Sequence, residues 1–89
     1  MNINGVYVKS TKNDIENIEN VMIIKSNDLI IVMEKFEIEL FNMFDGNLTI
    51  RDISILLFGK YKNAYKEQDF YDFVEKLINT GIIEEKNYD

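Results

Sequence analysis

From Phe36 onward the apolar residues recur at helical spacing, whereas before it they fall in short runs that alternate or are β-branched. Phe36, Leu40, Phe41 and Phe44 form a first stripe, closed by Asp45-Gly46. Ile50, Ile53, Leu56, Leu57 and Tyr61 form a second, and Phe70, Phe73, Val74, Leu77 and Ile78 a third, closed by Gly81. The spacing predicts three helices, each giving one wall to a shared core: Glu34 to Gly46, Thr49 toward Tyr61, and Glu67 to Thr80. Gly46 suits the left-handed position just past a helix end. Thr49 offers an N-cap hydroxyl, with Asp52 as the short-armed partner of a capping box. The phenylalanines at 36, 41, 44, 70 and 73 all read as core.

Gly5 to Ser10 predicts a first strand with Val6 and Val8 on one face and Tyr7 and Lys9 on the other. Thr11 to Asn20 is polar and rich in asparagine, and reads as a mobile connection in which Ile15 and Ile18 support at most one helical turn. Val21 to Lys25 and Leu29 to Met33 are apolar runs separated by Ser26-Asn27-Asp28, which predicts a hairpin. If Leu29, Ile31 and Met33 face the helices, period two turns Ile30 and Val32 outward. These two then need a cover or border a surface that binds. With Lys62 to Lys66 as the link between the last two helices, the expected fold is α+β. It is a winged helix-turn-helix, with an N-terminal three-stranded antiparallel sheet followed by a three-helix bundle, in a single domain over residues 1–89.

Composition removes most chemistry. Among 89 residues there is no cysteine and no histidine, which rules out disulfides, thiolate nucleophiles, Ser-His triads and the usual zinc sites. With no Gly-rich phosphate loop and no Ca²⁺-binding loop motif, we expect no enzyme activity, no cofactor and no metal. No apolar run reaches the length of a membrane span, so a cytoplasmic protein is expected. The net charge of −6 is concentrated after residue 33, where seven basic groups face twelve acids. That field repels phosphate backbones and anionic lipid and favours a basic partner. A winged-helix DNA binder would read the major groove with the helix at Glu67 to Thr80, yet that helix carries four acids and one lysine. An acidic carrier protein needs an exposed serine at a helix start. Here Ser54 lies inside a helix, and Ser10 and Ser26 adjoin strands.

The segments F-D-G-N-L-T-I-R-D-I and D-F-Y-D-F-V-E-K-L-I-N-T-G-I-I-E, with the hairpin V-M-I-I-K-S-N-D-L-I-I-V-M-E before them, resemble the pattern of the PqqD-like proteins over Val21 to Glu84. The resemblance implies a recognition element for ribosomally synthesised, post-translationally modified peptides. Such a domain binds the leader segment of a precursor peptide as an added strand and presents it to a modifying enzyme, often a radical SAM enzyme. Carried onto this chain, the strand edge is Leu29, Ile30, Ile31, Val32 and Met33, and the flanking helix face is Tyr71, Val74, Glu75 and Ile78. Strand addition suits such an edge, because main-chain hydrogen bonds give affinity and alternate side chains give specificity. Tyr71 offers contact area and Glu75 a charge for a basic leader residue.

Overall fold

The computed structural model describes residues 1–26, 29–61 and 66–86. In chain order the elements are β1 (Val6–Lys9), β2 (Asp14–Ile18), β3 (Val21–Ser26), β4 (Leu29–Met33), α1 (Lys35–Asn42), β5 (Asp45–Thr49), α2 (Ile50–Lys60), α3 (Glu67–Asn79) and β6 (Ile83–Glu85). They form two three-stranded antiparallel sheets, ordered β5-β1-β6 and β2-β3-β4, with three helices. This overturns the expected N-terminal sheet followed by a helical bundle, because strands are spread along the whole chain. The predicted hairpin turn at Asn27 and Asp28, and residues 62–65 of the predicted link, lie outside the described residues.

Thr11 to Asn20 explains the difference. Asp14–Ile18 pairs residue for residue with β3, from Asp14 opposite Lys25 to Ile18 opposite Val21, across the two-residue turn Glu19-Asn20. A hairpin closed over two residues costs far less chain entropy than bringing β1 back to β3. β2 therefore takes the place expected for β1. Every residue of β2 is exposed, so the strand shows no apolar alternation, and Ile15 and Ile18 belong to an extended segment. Glu19 takes a positive φ of 53°, the one non-glycine residue that does so among those described.

β1 instead forms the centre of the other sheet, with β5 and β6 on either side. Tyr7 is its buried residue, while Val6 and Val8 are half-buried. Gly46 does not cap α1, which ends at a Met43 C-cap. It lies in β5 with φ +86°, where the register against β1 shifts, and a Cβ there would stand 3.0 Å from Val8 Cγ1. The D-G-N sequence that reads as a helix stop is thus a bulged strand, shaped by the Asn47 amide donating to Asp45 Oδ1 at 2.9 Å.

The helix ends follow local rules. Thr49 and Asp52 form the reciprocal capping box, at 3.0 and 3.1 Å. The two preceding donors of α2, the Ile50 and Arg51 amides, bond to the carbonyls of Gly5 and Ile3. The segment before β1 thereby satisfies a helix start that would otherwise lack partners. α3 ends in a Schellman motif, with Ile82 N–H on the Leu77 carbonyl, Gly81 N–H on the Ile78 carbonyl and Gly81 at φ +75°. Leu77 and Ile82 are both fully buried, which supplies the apolar contact that accompanies this cap.

Both sheets and all three helices place side chains in one core, with Ile24, Met33, Phe41, Phe44, Ile53 and Phe70 among its most buried members. Some predicted core positions differ. Leu56 is 52% exposed on α2 beside Ile55, and Phe36 and Phe73 only flank the core as half-buried rings. The stripe on α2 is narrower than the apolar count suggested, because Ile50, Ile53 and Leu57 already fill its inward face.

A polar clasp joins α1 to the end of α2. Lys60 Nζ donates to Glu39 Oε1 at 2.7 Å, the Tyr61 hydroxyl donates to Glu39 Oε2, and Phe36 meets the Tyr61 ring edge-on at 5.6 Å. The bonds from Lys60 and Tyr61 hold the Glu39 carboxyl below its usual range, while the bond to Glu39 raises both donors. A folded-state pKa below the unfolded one means that Glu39 contributes stability above the ordinary glutamate pKa, and that this contribution is lost as the pH falls through the lowered value. Glu39→Gln is therefore expected to lower the melting temperature near neutral pH, by an amount that shrinks as the pH falls through the lowered value and the wild-type carboxylate becomes protonated. Thermal melts of both proteins across pH would check this.

Candidate functional site

The two sheets present four outer strands, and they differ in chemistry. β2 reads D-I-E-N-I and exposes two carboxylates. β6 is three residues long, two of them glutamate. β5 is bulged at Gly46. Acids, shortness and bulges are the means by which proteins keep a strand edge from pairing. β4, L-I-I-V-M, carries none of them, and among the described residues it pairs only with β3.

Register fixes what each face of β4 offers. Met33 lies opposite Met22 and Ile31 opposite Ile24, all on the core side, with Ile31 4% and Met33 0% exposed. Leu29, on the same side, is half-buried. On the outer side Ile30 is 63% and Val32 55% exposed. Val32 stands opposite Ile23, which stands opposite Glu16, and Ile30 stands opposite Lys25, which stands opposite Asp14. The outer face is thus apolar at the β4 edge and grows charged toward β2, where Lys25 Nζ lies 3.9 Å from Glu16 Oε2. Ile18 and Val21, opposite one another, extend the apolar part at one end. No described element covers Ile30 and Val32.

On α3, Val74 is fully buried, Tyr71 and Ile78 are half-buried and Glu75 is exposed. Tyr71 packs edge-on against Phe70, with centroids 5.0 Å apart. The helix packed most closely on β3 and β4 is α1, and the main strand neighbour of α3 is β6. Val74 and Leu77 belong to the same buried core as Ile31 and Met33.

Sequence reasoning did not foresee Ile18, Val21 and Ile23 as parts of an outer apolar row, because the row exists only once β2 is paired in register. It also missed an open cleft of about 910 Å³ between the β2–β3 turn and α1, lined by Glu19, Glu34, Lys35, Ile38, Glu39 and amide side chains. Glu39 is already held by the clasp. Among the described residues no group of three or more His, Cys, Asp or Glu is placed to hold a metal ion, and no helix is long and apolar enough to cross a membrane. Ser54 and Ser10 are buried, so neither can present a prosthetic arm.

No family model matches this chain, and no curated protein or solved structure matches it.

Proposed function

We propose that this chain is a peptide-recognition module, which takes an extended segment as an added strand on the open edge of β4. On the resemblance to the PqqD-like proteins, that segment is the leader of a ribosomally synthesised precursor peptide, held in the cytoplasm for a modifying enzyme of the radical SAM kind. The chain's own role is recognition and presentation rather than catalysis. The observation that carries the reading is the contrast among edges: β2, β5 and β6 are charged, bulged or short, and β4 is five uncharged residues long. Unpaired main-chain groups on such an edge are a template for another strand. Supporting it further, a net charge of −6 favours a leader with basic residues at longer range. Tyr71, Glu75 and Ile78 remain the candidate contacts for any part of the leader that extends past the strand onto α3.

Titrating the ¹⁵N-labelled chain with the synthetic leader of a precursor peptide encoded beside it tests the proposal. The expected result is saturable amide shifts centred on residues 29–33, with the amides of β2 and β6 little affected. Shifts centred elsewhere, or none at millimolar peptide, would remove strand addition at β4.

A further inference from the structure

We infer that the segment received by β4 is apolar at consecutive positions, and that its outward-facing side chains take part in recognition alongside the inward ones. This rests on the peptide-binding reading above and specifies the partner's chemistry. An antiparallel sheet with one wet face ordinarily selects strands that alternate, apolar inward and polar outward. The outer face here is not of that kind at its β4 edge.

An added strand lies about 4.8 Å beyond β4. Its outward side chains then stand beside Ile30 and Val32, at Cβ separations of about 4.5–5.5 Å for directly opposed pairs. On the far side of β4 those two residues already have neighbours, Lys25 and Ile23. Their remaining free surface, 63% and 55% of each residue, is therefore available to an incoming strand. The inward row offers less, since Ile31 and Met33 are covered by the core and only Leu29 retains free area. An outward serine or asparagine would leave Ile30 and Val32 wet and find no charge on β4 to bond. An outward valine, isoleucine or aromatic residue would cover them and gain the cross-strand contact. The fitting partner is an extended peptide with an uninterrupted apolar run of about the length of β4, crossing it with apolar side chains on both faces.

Selection of a random dodecapeptide phage library on the immobilised full chain tests this without knowledge of the native leader. Calorimetry and amide shifts on the winning peptide would follow, using wild type and the double variant Ile30→Thr/Val32→Thr, which keeps β-branching and uncharged character. Expected are winners with consecutive apolar residues, shifts at residues 29–33, and binding about tenfold weaker in the double variant at an unchanged melting temperature. Winners that shift β4 but alternate apolar with polar, or that bind the double variant equally well, overturn the inference and leave strand addition standing. Winners that act away from β4, or no enrichment, also overturn it, and the leader titration then decides strand addition by itself. Light scattering that finds a wild-type dimer, converted to monomer by the double variant, would overturn it too, by assigning the outer row to a second copy of the chain.

Discussion

Replacing Phe70 with alanine is expected to cost about 3–5 kcal/mol, a large part of the roughly 5–15 kcal/mol that holds a domain of this size together. The ring is fully buried and meets Phe58 and Tyr71 edge-on, at centroid separations of 5.8 and 5.0 Å. Removing it takes away its own burial and one partner from each of those pairs, and leaves a cavity between α2 and α3. Phe73→Ala, three residues on in the same sequence stripe, is expected to cost distinctly less, because that ring only flanks the core. Urea denaturation of both variants would check the order. Equal losses would mean that the two rings are equally buried.

Gly46→Ala is expected to be the most damaging of the small substitutions, at about 1–3 kcal/mol. Two causes add. The backbone there has φ +86°, which an alanine adopts only with strain, and the new methyl would lie 3.0 Å from Val8 Cγ1, inside the β1–β5 pairing. Gly81→Ala separates the causes. Its φ of +75° imposes a similar backbone strain, but a methyl added there would meet no neighbouring atom within 4 Å. It is expected to cost about 1 kcal/mol, the left-handed penalty alone. The difference between the two urea midpoints would then report the Val8 contact.

What could be read from the sequence was whatever is encoded locally. The stripes of α1, α2 and α3, the Thr49–Asp52 box, the stop at Gly81 and the β-branched runs of β3 and β4 each need only a few neighbouring residues to specify them. β2, β5 and β6 are strands by virtue of their partners. D-I-E-N-I has no apolar alternation to betray it, D-G-N-L-T begins as a turn does, and I-E-E is too short to carry a period. Each becomes a strand when β3 or β1 offers a ladder, and that information lies as far as the opposite end of the chain. The same division holds for the site. That Ile30 and Val32 turn outward follows from period two once Leu29, Ile31 and Met33 face inward. That the other three outer strands are each blunted, leaving β4 as the uncharged edge, depends on β2, β5 and β6 existing at all.

The central position of β1 bears on how the chain comes to be folded. Val6–Lys9 is held on one side by residues 45–49 and on the other by residues 83–85, and the Lys86 amide closes onto the Val6 carbonyl at 2.8 Å. The β2–β3–β4 sheet joins near neighbours, and its pairing needs only short loops to close. Its companion must gather three segments separated by most of the sequence, a step that loop-closure entropy makes slow. β1 precedes β3 and β4 in the chain and β6 follows them, so the β4 edge has its local pairing before the other sheet can be completed. A chain lacking β6 would then carry a formed β4 edge beside an unpaired side of β1, two strand templates close together on one unfinished molecule.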